Sequence, residues 1–236
     1  MNGTTSTAKE LVTDEVEMLQ RLVPLAGARV VELGCGKAEL ARRLLERRLV
    51  SSVLAFEVDA IQMTRNLAER RPAGLDFLYG GAQAIPLGNA SCEVVLMLKS
   101  LHHVPIPLMD DAFREIRRVL VPGGRVYVSE PVYAGDFNEI VRLFHDEGEV
   151  RAAAHAAICR AAAGAVLELD NEVVFDTPLA FRNFSDFCER IVGATHATHD
   201  LDGQTLAEVK RRFDRHMTPQ GARFVREMRV DVLHRV

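Results

Sequence analysis

The 236-residue sequence has four cysteines and no C-x-x-C pair among them. Cys35, Cys92, Cys159 and Cys188 stand far apart. That spacing argues against a zinc ribbon or a disulfide framework and fits a reducing compartment. No stretch is long and charge-free enough to cross a bilayer, and the opening "MNGTTSTAKELVTDEVEM" lacks the apolar segment of a secretory leader. Positive charge is not in excess: 29 Lys and Arg stand against 33 Asp and Glu, a net charge of −4. Nothing in that balance advertises a polyanion-binding face. There is no internal repeat and no low-complexity tract, the alanine-rich run Ala152 to Ala165 coming nearest. The expectation is a soluble cytoplasmic protein with neither a membrane nor a nucleic-acid partner.

The chain does have the material for a core, with 48% hydrophobic and 26% charged residues. After a polar start at Asn2 to Ser6, Leu11, Val16, Leu19 and Val23 recur at helical spacing from about Glu10. Strands are predicted at "ARVVEL", "SVLAFEV", "LDFLYG", "CEVVLML" and "GRVYVSE", with helices at "AELARRLLERR", "AIQMTRNLAERR" and "MDDAFREIRRVL". "VPGG" is expected to end the last of these helices and reverse the chain into the fifth strand. Strands alternating with helices over short links imply βαβ units and a mostly parallel, doubly wound α/β sheet. Beyond Glu130 the sequence turns helix-rich, with Phe137, Ile140, Val141 and Phe144 on one stripe. "NEVVFDT" and "MRVDVLHRV" add two strands, for seven in all. The expectation is one domain over 1–236, with a core at about 24–130 and helical insertions at about 131–170 and 183–220 forming a substrate lid.

The most informative stretch is "VVELGCGKAEL". Two glycines at a strand-to-helix turn let the backbone approach a ligand at the positive end of a helix. Glu57 ends the next strand about twenty residues later, as an acid that grips ribose hydroxyls does. Asp59 fits the N-cap of the following helix instead. A nicotinamide dinucleotide site wants G-x-G-x-x-G or A, and here Gly36 is followed by Lys37, Ala38 and Glu39.

With "AFEVD", "GGAQAIPLGNASCEVVLMLKSLHHVP" and "FREIRRVLVPGGRVYVSEP" following in order, the stretch from Val30 to Glu130 resembles the small-molecule branch of the class I S-adenosylmethionine-dependent methyltransferases. The resemblance implies a Rossmann-like fold and S-adenosylmethionine as cofactor, with S-adenosylhomocysteine as product. It implies that Gly34, Cys35 and Gly36 border the methionine end and that Glu32 helps fix the amino group. It implies further that Glu57 takes the ribose hydroxyls, Val58 lies against the adenine, and Ala82 and Gln83 flank the adenine edge. Lys99 would offer a backbone carbonyl. The family's Gly-Asp-Ala turn reads Gly80-Gly81-Ala82 here, so the acid is missing at Gly81 and Gln83 is the available substitute. Loss of one charge-assisted hydrogen bond costs about 1.5–3 kcal/mol if nothing replaces it. Ala38 stands where the family has a third glycine.

Acceptor-side candidates are His102 and His103 after the fourth strand and Glu130 and Tyr133 after the fifth, all as possible proton-transfer or orienting groups. The alternative for the histidines is loop packing through backbone hydrogen bonds. His145 is placed on the insertion's helix surface. His196, His199, Asp200 and Asp202 form a loose cluster read as a solvated loop, and no metal is assigned. The long apolar insertion favours a small enclosed acceptor. Two other readings stand beside the enzyme: a non-catalytic cofactor-binding subunit that stabilises or regulates a partner, and a nicotinamide-dependent oxidoreductase. No motif names the acceptor atom, and none sets the oligomeric state.

Overall fold

Strand β1 (Arg29–Leu33) is buried along four of its five residues. Its neighbours explain this: β2 (Ser52–Glu57) and β4 (Cys92–Leu98) pair with it in parallel, one on each side. The computed structural model describes residues 9–164, 166–193 and 201–236. The full strand order is β3-β2-β1-β4-β5-β8-β6, with β3 at Leu75–Tyr79, β5 at Leu120–Pro131, β6 at Glu168–Phe181 and β8 at Gly221–His234. A two-residue strand, β7 (Met217–Thr218), pairs with the start of β8 and makes the sheet eight-stranded rather than seven. From β1 the chain winds outward through β2 to β3, then returns to the other side of β1 at β4. That reversal puts the topological switch point at the carboxyl ends of β1 and β4, where ligands bind in such sheets.

The chain divides into two compact units. The first holds residues 14–131, 147–173 and 230–236. Its core is built by α2 (Glu39–Glu46), α3 (Ala60–Ala68), α4 (Met109–Val119) and α6 (Gly148–Ala163) around the parallel strands. Val31, Leu33, Val95, Met97, Phe113, Ile116 and Val128 are almost completely buried there. Helix α1 (Glu15–Leu22) starts later than its apolar spacing suggests, because the Asp14 carboxylate caps it by accepting the Val16 N–H at 2.9 Å. Strand β5 begins at Leu120, and "VPGG" is the break in its pairing with β4, whose partners jump from Leu120 to Arg125. Pro122 has no N–H to offer, and the pairing passes to its neighbours: Gly123 N–H donates to Arg235 O at 2.7 Å and Arg235 N–H to Gly124 O at 2.9 Å.

Among the described residues, the second unit holds 9–13, 132–146, 174–193 and 201–229. Its core is aromatic: Phe137 and Ile140 of α5 (Gly135–Val141) pack with Phe181, Phe187, Phe213 and Phe224. Phe187 belongs to α7 (Phe184–Phe187), which runs into a π-helical turn at Cys188–Val192, and Phe213 to α8 (Gly203–Asp214). The predicted apolar stripe is real, although Phe144 and His145 lie beyond the end of α5. Of the His196 to Asp202 cluster only Asp202 is described: it caps α8 by accepting the Thr205 N–H at 2.6 Å, while His196, His199 and Asp200 lie outside the described residues.

Candidate functional site

Glu32 sits level with Ala55 of β2 and Leu96 of β4, in the middle of the sheet, and is only 4% exposed. Burial raises its carboxyl to about 8, against a smaller opposing pull from the Ala41 backbone N–H and the charge of Lys99. Its Oε2 has no hydrogen-bond partner. A buried acid with an open oxygen is costly unless something is meant to meet it.

The two glycines after β1 serve different ends. Gly34 has φ +74°, and a Cβ there would lie 2.6 Å from Ser100 Cβ, so the turns after β1 and β4 interlock. Ser100 Oγ donates to Leu33 O at 2.7 Å and fastens the same junction. Gly36 has φ +52°, and a Cβ there would meet nothing within 4 Å. The N–H groups of the turn, expected to face a ligand, are already engaged. Gly34 and Cys35 donate to Phe56 O at 3.0 and 2.8 Å, and Gly36 donates to Glu57 Oε2 at 2.7 Å. Behind them Asn66, which the sequence reading passed over, donates to Gly36 O at 2.7 Å and accepts from Gln62 Nε2 at 2.8 Å. The Cys35 thiol is buried, and desolvation pushes its pKa far up, so it is no nucleophile.

Glu57 Oε1 accepts from the N–H groups of Val58 and Asp59 at 2.8 and 2.9 Å. With Gly36 that makes three backbone donors on one carboxylate, which fixes its orientation and leaves acceptor capacity over. Asp59 caps α3 by accepting from Ile61 and Gln62. Val58, beside Glu57, is 55% exposed, an apolar face without cover.

At the turn after β3, Ala82 is buried. The Gln83 side chain folds back over Gly81, and its Oε1 lies 2.4 Å from where a Gly81 Cβ would be. Gln83 therefore takes up the space of the side chain missing at Gly81. Helix α4 tethers the loop beyond it: Glu115 Oε2 accepts the Ile85 N–H at 2.8 Å, and Arg118 donates to Ile85 O and Leu87 O at 2.7 and 2.6 Å.

After β4, Lys99 is exposed with φ +54°, and its N–H donates to Ser129 O at 2.7 Å. A 3-10 turn at Leu101–His103 then carries both histidines. His102 is buried, and its partners are carboxylates rather than backbone. Its Nδ1 pairs with Glu130 Oε2, and its Nε2 lies 3.5 Å from Glu147 Oε1. Glu130 is held by the Ser100 and Leu101 N–H groups at 3.1 and 2.8 Å. Burial alone would depress the His102 pKa, but the two acids outweigh it and raise it to about 9. His103 is exposed, its ring centroid 4.1 Å from that of His102. Tyr133 belongs to the second unit, where its hydroxyl donates to Asp146 at 2.7 Å. Ser100 stands inside a quoted motif without being singled out by it, and Asn66 and Glu147 stand in no motif. Their roles come from what the fold brings beside them.

Residues 31–128 match the family described as methyltransferase domain. The chain is similar to 27-O-demethylrifamycin SV methyltransferase of Amycolatopsis mediterranei, at 33% identity over 53% of this chain and 47% of that protein. It is also similar to the ubiquinone/menaquinone biosynthesis C-methyltransferase UbiE of Dinoroseobacter shibae, at 31% identity over 48% of this chain and 46% of that one. The alignments span about half the length of these curated relatives. In fold, the chain is similar to the YcgJ protein of Bacillus subtilis, with a TM-score of 0.64 at 15% identity over 94% of this chain and 97% of that one. The match to a methyltransferase domain spans residues 31–128, the stretch that carries the glycine turn, Glu57, Ala82 and Lys99.

Proposed function

We propose that the protein transfers a methyl group from S-adenosylmethionine to a small-molecule acceptor. The observation that carries the reading is Glu32 Oε2, a buried carboxylate oxygen with no protein partner beside a glycine turn that has open space at Gly36. A cationic amino group is the complement such an oxygen calls for. The residues present fit the cofactor. Glu32 would take its amino group, Gly34, Cys35 and Gly36 would shape the bed for its amino-acid end, and Glu57 would accept the ribose hydroxyls. Val58 offers an apolar face for the adenine, while Ala82 N–H and the Gln83 amide offer hydrogen bonds at its edge. The Lys99 carbonyl completes the set.

When bound, the cofactor supplies a sulfonium whose methyl is activated for in-line transfer. The chain's own task is to hold the acceptor in line and keep water out, which can supply much of the rate without a dedicated base. His102, clamped by Glu130 and Glu147, is suited to orienting rather than to accepting a proton at neutral pH. His103 is the exposed imidazole at the same edge. Both named relatives carry small-molecule acceptors in their names, one at an oxygen and the other at a carbon, which supports the acceptor class and leaves its atom open.

Calorimetric titration of the purified protein with S-adenosylmethionine, S-adenosylhomocysteine and NAD tests this directly. Micromolar binding of the first two and none of the third is expected. Binding of NAD alone, or of none of the three, would overturn it.

A further inference from the structure

The structure assigns a divalent transition-metal site to His102, His103 and Glu147, with Glu130 as the group that orients His102. Among the described residues these three offer one ligand atom each, all within 4.8 Å of one another. The two fixed members are already spaced for an ion. His102 Nε2 and Glu147 Oε1 stand 3.5 Å apart. That is long for a hydrogen bond, which centres near about 2.9 Å. It is close to the edge of a tetrahedron around zinc, roughly 3.4 Å for metal–ligand distances of about 2.0–2.2 Å.

The surroundings have the form that metal sites take. A ligating histidine gives its other ring nitrogen to a carboxylate, which sets the tautomer and aims the ring. His102 does this through Nδ1 to Glu130, itself held by two backbone N–H groups. Glu147 is steadied in the same way: its Oε2 accepts from Arg151 at 2.5 Å, while Oε1 faces His102. His103 is exposed on the same 3-10 turn, with a ring nitrogen within 4.8 Å of the other two ligand atoms, so the site has a solvent-facing member. Two imidazoles and one carboxylate favour zinc or another first-row divalent ion over magnesium or calcium, which prefer all-oxygen shells. Three protein ligands leave a coordination position for water or for an acceptor's oxygen. Ser100, two residues before His102, packs against Gly34, so the site lies next to the glycine turn.

The test uses the full chain, stripped with a chelator and free of cofactor, so that failure here leaves the cofactor reading untouched. It is titrated with ZnCl₂ by calorimetry and, in parallel, with CoCl₂ followed by visible absorption. One equivalent of Zn²⁺ should bind with micromolar Kd, and Co²⁺ should give the intense d–d bands of a four-coordinate site. His103→Ala and Glu147→Gln, each with an unchanged far-UV circular dichroism spectrum, should weaken binding about tenfold or more, and Glu130→Gln by a smaller factor. The proposal falls if the folded chain binds no Zn²⁺ below millimolar concentration. It also falls if binding survives both ligand substitutions and is lost instead on replacing His196 and His199.

Discussion

Gly34 and Gly36 are separated by one residue and look equivalent in the sequence, yet the structure gives them unlike reasons for lacking a side chain. A methyl group at Gly34 would collide with Ser100 Cβ and sit at φ +74°. Gly34→Ala is expected to cost about 2–5 kcal/mol, measured by urea unfolding. A methyl group at Gly36 meets open space and bears only the strain of φ +52°. Gly36→Ala should therefore lose about 1–2 kcal/mol and still fold, and its cofactor affinity, read by calorimetry, should fall steeply. The carboxylates after β2 separate in the same way. Asp59→Ala removes a helix cap and should cost about 1 kcal/mol with cofactor affinity nearly unchanged. Glu57→Gln should weaken cofactor binding about tenfold or more, since a hydrogen bond to a charged group is worth about 1.5–3 kcal/mol. Equal losses of affinity at the two positions would mean that the wrong carboxylate had been assigned to the ribose. At this scale the identity of the special residues was legible, and so was the role of Asp59 as a cap, but the collision that fixes Gly34 was not, because Ser100 stands 66 positions away.

Among the elements, the central parallel strands β1 and β4 were readable because both of their faces are buried and their apolar runs are nearly continuous. The last strands were read short. The opening of β6, "ELDNE", is exposed at the end of the strand order, and its polar residues hide it from a search for apolar runs. The first half of β8 did carry a period of two, with Ala222 and Phe224 buried and Arg223 and Val225 exposed, but its charges masked it. The tether from α4 to the loop after β3 had no sequence signal at all. It deserves a direct test. Arg118→Ala strips two backbone carbonyls and Glu115 of their donor. The variant should lose about 1.5–3 kcal/mol in urea unfolding. Its affinity for S-adenosylmethionine should also fall several-fold, because the turn carrying Ala82 and Gln83 is no longer anchored. Unchanged affinity in the folded variant would show that the turn holds its shape alone.

For the molecule as a whole, the reversal of strand order at β1 and β4 gathers Glu32, the glycine turn, Ser100 and the His102 cluster at one edge, though they span more than a hundred residues of sequence. The sequence showed the order of the motifs, while their meeting depends on the fold. Glu32 makes the stability of the molecule depend on pH. Its carboxyl is raised from an ordinary 4.5 to about 8, so the native state keeps a proton that the unfolded chain has released. Its contribution is intact below about pH 4.5, declines as pH rises toward 8, and is flat above that. Glu32→Gln should remove this slope, so the variant's advantage in Tm over the parent grows from pH 5 to pH 8. An amino group arriving beside Glu32 would favour its ionised form, so cofactor binding at pH 7 should release a proton. Titrations in two buffers of different ionisation heat should then give different apparent enthalpies, and identical values would contradict the assignment of Glu32.

The Ser100 hydroxyl on Leu33 O, with its Cβ filling the space beside Gly34, has a practical consequence for redesign. Anyone seeking a new acceptor range would naturally diversify the loop that carries the histidines. Library members altered at Ser100 should fail before any acceptor is tried, since that position also fills the space beside Gly34 and fastens the turn after β1. Productive libraries should hold Ser100 constant and vary the segment beyond His103.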